Sequence, residues 1–166
     1  YQGRQEKNDN LRMALAVGQI LSEDGVDVGY TRVQDVYQSP LQKAQMANNW
    51  EADYFVSFHR NAMPVPGTAS GTESLIFSRG GEAEQLASNI NAELGQAGWN
   101  DLGTTERPGL IVLRKTEMPA VLVEVGFLDN PEDNQRFDAH FEHTARAIAD
   151  GILNTLRSPE GQPEYY

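Results

Sequence analysis

The apolar run at residues 120–125 restricts the fold more than any other segment of the chain. It reads AVLVEV, so five hydrophobic residues accompany a single glutamate, Glu124. A short, nearly continuous apolar run is typical of a strand that is buried on both faces of a sheet. Because a buried carboxylate is costly without compensation, the run also indicates that Glu124 meets a metal, a cation or an environment that raises its pKa.

The rest of the chain alternates between helical and strand patterns. Apolar residues at three- and four-residue spacing predict helices over residues 8–23, 39–50, 81–96, 131–137 and 141–156. Further strands are predicted over residues 26–31, 54–58, 72–77 and 110–113. This order predicts a single α/β domain whose central sheet is mostly parallel and has about five to six strands flanked by helices. Functional residues of such sheets collect where strands end, at their carboxyl edge.

Charge and cysteine content exclude several classes of protein. The 166 residues include 24 acidic and 13 basic side chains, for a net charge of −11. So acidic a chain repels phosphate backbones and anionic bilayers, so neither nucleic acid nor a membrane surface is an expected partner. No apolar run approaches the roughly 20 residues of a membrane span, so no membrane insertion is expected. Because cysteine is absent, any metal must be held by His, Asp or Glu.

The residue that directly follows the predicted strand at 54–58 is His59, and Arg60 and Asn61 come next. A histidine at a strand end is well placed to act as a metal ligand or as a general base. The residues alone leave a simpler role open, in which His59 hydrogen-bonds a loop.

Two glutamates are further candidates. Glu124 is a candidate general base if burial raises its pKa, and the alternative is a structural ion pair with Arg60 or Arg114. Glu6 precedes the first predicted helix, where a carboxylate is favoured by the helix dipole whether or not it has another role.

Other polar groups give weaker signals. His140 and His143 have the i, i+3 spacing of a metal-binding pair, but their charged neighbours favour an ordinary solvated helix face. Glu73 is predicted to be a surface or loop carboxylate. The cations Arg107 and Arg114 either bind an anionic substrate group or pair with the acidic surface.

Taken in order, these segments resemble the zinc-dependent N-acetylmuramoyl-L-alanine amidases of the type 3 family, which hydrolyse bacterial peptidoglycan. The resemblance runs from about residue 5 to about residue 156. It is carried by EKNDNL at residues 6–11, GVDVGYTR at 25–32, ADYFVSFHRNA at 52–62, GTE at 71–73, VLR at 112–114 and MPAVLVEVGFLDN at 118–130. The last of these blocks is the most specific.

The resemblance assigns roles to several residues. It implies that Glu6 and His59 bind Zn²⁺ and that Glu124 is the catalytic base. Asn61 matches a polar residue after the second metal-binding His, and Arg114 falls in the stretch that lines the substrate groove. Arg60 is a further expected substrate contact or oxyanion stabiliser, although many members carry alanine or another residue there. The implied reaction is attack of zinc-activated water on the amide between N-acetylmuramic acid and L-alanine, with Glu124 moving the proton.

One ligand of the family is not visible in this chain. The family's first metal-binding His lies in a Gly-His-Gly-Gly loop upstream of the position matched by Glu6, and Glu6 is preceded by five residues without histidine. Residues 1–157 are therefore expected to form an N-terminally incomplete catalytic domain that lacks its first strand, and residues 158–166 a tail or linker. With only Glu6 and His59 as ligands, zinc binding and hydrolysis are expected to be impaired.

Two other functions remain open from the sequence. One is a catalytically impaired module of the same fold that binds peptidoglycan or regulates its turnover. The other is a zinc carboxypeptidase or amidohydrolase that acts on a different amide. For the amidase, the substrate implies an extracellular, periplasmic or cell-wall-associated location, and a monomer is expected.

Overall fold

Six helices and four strands follow one another in the computed structural model, which describes residues 3–157. The predicted tail at residues 158–166 lies outside the described residues. The elements in chain order are α1 (Glu6–Glu23), α2 (Pro40–Asn49), β1 (Phe55–Asn61), β2 (Thr72–Ile76), α3 (Glu82–Gln96), β3 (Asp101–Glu106), α4 (Ile111–Arg114), β4 (Ala120–Phe127), α5 (Pro131–Ala139) and α6 (Phe141–Leu156).

The strands form one open sheet in the order β1-β4-β2-β3. The β1–β4 and β2–β3 pairs are parallel, whereas β2 and β4 are antiparallel. The predicted single α/β domain is confirmed. The described sheet has four strands and is mixed, which corrects the expected five to six mostly parallel strands.

Helices cover both faces of this sheet. Apolar residues of α1, α3 and α6 form the larger core with Val121, Val123 and Val125 of β4. A smaller core, to which α2 and α4 contribute, includes Ala120 and Leu122 of β4. Successive residues of a strand point to opposite faces, so Glu124 continues the row on the side of the smaller core.

Two predicted strands are wrong. Residues 110–113 are predicted as a strand, but the structure has a short helix there, α4, with Val112 and Leu113 both buried. Such a short apolar run does not distinguish a strand from a buried helical turn. Residues 26–31 lie outside the sheet. Their apolar residues do face inward, because Val26 and Val28 pack against the larger core. The segment nevertheless pairs with no strand of the described sheet.

The edge strand β3 is a strand that the sequence pattern did not predict. Leu102 is the one apolar side chain of this strand and none of its residues is buried, so there is no apolar run to indicate it. The strand is held by its pairing with β2 and by the Asn91 side chain, whose amide donates to the Gly103 carbonyl at 3.0 Å.

The predicted helices are confirmed with small shifts at their ends. At the start of α2, Ser39 and Gln42 form a reciprocal cap: the Gln42 backbone N–H donates to Ser39 Oγ, and the Ser39 N–H donates to Gln42 Oε1. Within residues 3–157, no helix combines the length and apolar character that crossing a membrane requires.

Candidate active site

Three of the predicted site residues meet near the carboxyl ends of β1 and β4. His59 of β1 is the register partner of Glu124 of β4, so their side chains emerge side by side from adjacent strands. Glu6 is the first residue of α1, and its carboxylate reaches His59. The fold therefore brings these three residues together near a strand end, although they lie far apart in the chain.

Glu6 is held by several hydrogen bonds. Its Oε1 lies 3.0 Å from His59 Nδ1 and accepts the Arg60 backbone N–H at 3.1 Å. The Asn10 side-chain amide donates to the same oxygen at 3.4 Å. Burial alone would raise the pKa of Glu6, but the hydrogen bonds from His59 and the Arg60 backbone outweigh it and lower that pKa. Glu6 is therefore an anion at neutral pH, ready to bind a cation.

The electrostatic environment of Glu124 is the opposite. Burial is the largest influence and raises the pKa of its carboxyl to about 7, and the negative charges of Glu6 and Glu73 add to the effect. His59 and Arg107 act against the rise. Oε2 of Glu124 is buried and has no hydrogen-bond partner in the described structure. A carboxyl group with a pKa near neutrality and a free oxygen is suited to accept and return a proton.

Glu73 is a neighbour that the sequence analysis missed. It is predicted to be a surface carboxylate, yet the β2–β4 register places it directly opposite Glu124. Its Oε2 accepts the Thr105 hydroxyl at 3.2 Å. Its position inside the predicted strand at residues 72–77 could have indicated that its side chain is not at the surface, because the other residues of β2 are buried. Two carboxylates on adjacent strands repel each other, which favours the protonated form of Glu124.

Arg60 does not occupy the predicted substrate-facing position. Its residue is 4% exposed, and its guanidinium points into the fold, to Asp9, Asn134 and the Val125 carbonyl. Because β1 alternates between faces, Arg60 lies on the side opposite His59. This burial is at odds with a substrate contact and indicates a structural connection beneath the site.

Asn61 and Arg114 are placed differently from each other. Asn61 ends β1, and its side-chain oxygen accepts the Ala62 backbone N–H at 2.9 Å. Arg114 ends α4 and is exposed, and its backbone N–H donates to the Leu110 carbonyl at 2.9 Å. Both therefore stay predictions as substrate contacts.

A cationic side chain also lies close to Glu6. Lys43 of α2 is half-buried, and burial lowers the pKa of its ammonium. The nearby Arg32 lowers it further, whereas Glu6 raises it. Lys43 and Arg32 thus give one side of the site a positive potential in an otherwise acidic chain.

The donor atoms of Glu6 and His59 are spaced like two ligands of one zinc ion. Two ligands at 2.0–2.1 Å from a tetrahedral zinc ion are roughly 3.3 Å apart, and Glu6 Oε1 and His59 Nδ1 are separated by 3.0 Å. An anionic oxygen beside an imidazole nitrogen is a donor pair that zinc accepts, so these two residues fit. No third His, Cys, Asp or Glu within residues 3–157 completes a metal-binding group with them. His140 and His143 are exposed at the junction of α5 and α6, so that pair is not part of this site.

Comparison with known proteins gives consistent matches. A family model described as N-acetylmuramoyl-L-alanine amidase matches residues 1–154. The sporulation-specific N-acetylmuramoyl-L-alanine amidase of Bacillus subtilis (strain 168) is 35% identical over 156 residues, covering 90% of this chain and 59% of that protein. The N-acetylmuramoyl-L-alanine amidase CwlM of Bacillus licheniformis is 35% identical over 170 residues, covering 99% of this chain and 65% of that protein. The chain thus spans about three fifths of the length of these relatives.

Solved structures match in the same way. A crystal structure of N-acetylmuramoyl-L-alanine amidase from Clostridium difficile 630 superposes with a TM-score of 0.88 at 32% identity, covering 94% of this chain and 86% of that one. The catalytic domain of CwlV, an N-acetylmuramoyl-L-alanine amidase from Bacillus (Paenibacillus) polymyxa var. colistinus, gives a TM-score of 0.85 at 32% identity, covering 93% and 86%.

Proposed function

Because the chain belongs to the N-acetylmuramoyl-L-alanine amidase family, we propose that it hydrolyses the amide bond between N-acetylmuramic acid and L-alanine in peptidoglycan. The observation that carries this proposal is the position of Glu124. Its buried oxygen has no hydrogen-bond partner among the described residues, and its strand neighbour His59 meets the Glu6 carboxylate. That arrangement sets a proton acceptor next to a cation-binding pair.

Glu6 and His59 are the residues that would hold a zinc ion. When bound, zinc supplies Lewis acidity that polarises the scissile carbonyl and makes water a better nucleophile. The low pKa of Glu6 keeps that ligand anionic, and the Arg60 backbone N–H fixes its orientation.

Glu124 moves the proton in the proposed reaction. Its carboxylate takes a proton from the attacking water while the water oxygen bonds to the amide carbon. The same carboxyl group then protonates the amine of L-alanine as the C–N bond breaks. Water is thereby divided between a lactyl carboxylic acid and a free amine. A pKa near 7 suits both halves of this transfer, because the group gives up and regains its proton easily at neutral pH.

The remaining features of the proposal concern substrate and location. Asn61 and Arg114 are proposed substrate contacts, and residues 1–157 the catalytic domain. Lys43 and Arg32 provide positive charge that suits the carboxylates of a stem peptide. Since peptidoglycan lies outside the cytoplasmic membrane, the proposed location is extracellular, periplasmic or wall-associated, and the proposed state is a monomer.

The test is digestion of purified peptidoglycan by the full-length protein, with products identified by mass spectrometry. We expect stem peptides that begin with a free L-alanine amine, and we expect a chelator to abolish their release. Glu124→Gln should lower the rate by about 10²–10⁴-fold because the proton acceptor is lost. Glu142→Gln, which changes an exposed carboxylate on α6, is the matched control and should retain activity.

Two results would redirect the proposal. Binding to peptidoglycan without release of any product would favour the non-catalytic module. Cleavage of small peptides with the muramic acid linkage left intact would favour a peptidase or an amidohydrolase of different specificity.

A further inference from the structure

The Arg60 side chain connects three elements that surround the candidate site. Its Nη1 donates to Asp9 Oδ2 of α1 at 2.8 Å, its Nη2 donates to Asn134 Oδ1 of α5 at 2.9 Å, and its Nε donates to the Val125 carbonyl of β4. Arg60 itself belongs to β1. One guanidinium therefore joins α1, α5 and β4 to the strand that carries His59.

The environment of this guanidinium is closed to solvent. The Arg60 side chain is 1% exposed and its Asp9 partner 7%. The Phe137 ring lies beneath the guanidinium, with 4.4 Å between the Arg60 Cζ and the ring centroid. Hydrogen bonds to a buried guanidinium restrict its orientation, and here each of its three nitrogens donates to an acceptor on a different element.

One connection leads to the proposed metal ligands. Asp9 lies three residues after Glu6 on α1, so the Asp9–Arg60 ion pair fixes the first turn of that helix against β1. The Arg60 backbone N–H donates to Glu6 Oε1 at 3.1 Å. Both the main chain and the side chain of Arg60 thus determine where Glu6 stands relative to His59.

The other connection leads to the proposed proton acceptor. Val125 follows Glu124 directly in β4, and its carbonyl accepts from Arg60 Nε. The β1–β4 register shifts between His59 and Asn61, at Arg60, so the ladder is irregular where the site is built. The guanidinium bond to the Val125 carbonyl ties the strands together at this irregularity.

We propose that Arg60 is a positioning residue that holds Glu6, His59 and Glu124 in one reactive arrangement from beneath the site. The proposal rests on the proposed function for its catalytic consequence, but not for the geometry. Small displacements of ligands or proton acceptors are costly in catalysis, and groups behind metal ligands typically change metal affinity or activity by about 10–100-fold.

A lysine cannot reproduce this role. Its single ammonium is a compact point charge, whereas the three acceptors of Arg60 belong to different elements and engage different nitrogens of a planar group. Arg60→Lys should therefore restore only part of what Arg60→Met loses. The control is Thr144→Val, which breaks the buried hydrogen bond between Trp99 Nε1 and Thr144 Oγ1 and touches none of the three site residues.

The experiment makes three measurements on each full-length variant. The first follows the imidazole N–H signal of His59 by NMR in metal-free protein, as a report on the Glu6–His59 contact. The second is zinc affinity by competition with a chelator. The third separates kcat from KM on peptidoglycan fragments.

We expect Arg60→Met to broaden or shift the His59 signal, weaken zinc binding by about 10–100-fold and lower kcat by a similar factor. KM should change by less than about threefold, since Arg60 makes no proposed substrate contact. Thr144→Val should lower the melting temperature while leaving all three measurements near those of the unchanged protein.

Retention of the His59 signal, zinc affinity and kcat in Arg60→Met, with only a lower melting temperature, would overturn the proposal. If Arg60→Met does not fold, Arg60→Lys and Asp9→Asn decide the matter by the same measurements. A protein with no amidase activity, whose His59 signal nevertheless depends on Arg60, would refute the proposed function and leave the positioning role standing.

Discussion

Glu124 shows how a single strand position acquires unusual acid–base chemistry. Its place in an apolar strand was visible in the sequence, which was enough to predict a perturbed carboxyl group. Burial is the largest cause of its raised pKa, and the two glutamates that add to the rise, Glu6 and Glu73, come from distant segments of the chain. Glu6, His59 and Glu124 could therefore be identified from motifs, whereas the pairing of Glu73 with Glu124 and the burial of Arg60 could not.

The raised pKa of Glu124 has a consequence for stability. Its ordinary value is 4.5 and its value in the fold is about 7, so the folded protein binds this proton more tightly than the unfolded chain. The associated stabilisation is fully present below pH 4.5 and is lost as the pH rises through 7. The glutamine of Glu124→Gln cannot ionise, so this variant should become more stable relative to the unchanged protein as the pH rises from 5 to 8. The difference between their free energies of unfolding should grow by about 1–3 kcal/mol after allowance for solvent screening.

Thermal or urea denaturation of metal-free protein in chelator at several pH values measures this difference. Glu142→Gln, on the exposed face of α6, provides the baseline. If the difference in free energy of unfolding between Glu124→Gln and the unchanged protein stays constant with pH, or shrinks toward pH 8, the assigned environment of Glu124 is contradicted.

Glu73 should influence the pH dependence of catalysis without taking part in it. Its negative charge raises the pKa of Glu124, so Glu73→Gln should lower that pKa. Because the proposed base must be ionised in the free enzyme, the acid limb of the kcat/KM profile should move to lower pH. The plateau rate should change little. An unmoved limb, or one that moves to higher pH, would show that Glu73 does not act on Glu124; Glu106→Gln, on the exposed edge strand, is the comparison.

At the scale of elements, β4 depends on a glycine two residues beyond Glu124. Gly126 has φ +75°, and a Cβ there would lie 2.7 Å from the Trp99 ring and 3.4 Å from Arg60 Nη2. Gly126→Ala therefore adds a steric clash to the backbone strain of a positive φ. We expect a loss of about 2–4 kcal/mol in the free energy of unfolding.

Gly103→Ala separates the two causes. Gly103 in β3 has φ +87°, but a Cβ there meets nothing within 4 Å, so only backbone strain applies. Its cost should be about 1–2 kcal/mol by chemical denaturation. If both variants lose the same free energy of unfolding, the clash with Trp99 adds no cost to that of the backbone strain.

The elements themselves were predictable where periodicity was long. The helices α1, α3 and α6 repeat their apolar face over 15 residues or more and were located closely. The predictions for short segments were wrong, because a few apolar residues indicate burial without specifying whether the backbone hydrogen bonds are those of a helix or of a strand. That is why α4 was predicted as a strand, and why the polar edge strand β3 was not predicted at all.

At the scale of the whole molecule, a metal bound by Glu6 and His59 would join residues 53 positions apart in the chain. Ligands that bind only the folded state stabilise it, by about 2.7 kcal/mol at 100 times the Kd. Zinc should accordingly raise the melting temperature by roughly 5–10 °C, and a chelator should reverse the rise.

Calorimetry with and without zinc checks this expectation. His59→Gln should abolish the rise, whereas His143→Gln, at an exposed position in the first turn of α6, should preserve it. A rise that survives His59→Gln and is lost in His143→Gln would place the metal at the wrong site for the proposed chemistry.

The strand order has a consequence for the time at which activity can arise. β4 lies between β1 and β2, yet among the strands within residues 3–157 it is the last to be synthesised. Until residues 120–127 are available, β1 has no described partner, and Glu124 does not yet exist beside His59. Loop closure over such separations makes this pairing a late and slow event in folding. A chain synthesised only as far as β3 therefore cannot yet assemble the proposed site, because Glu124 and the strand that pairs with β1 are still missing.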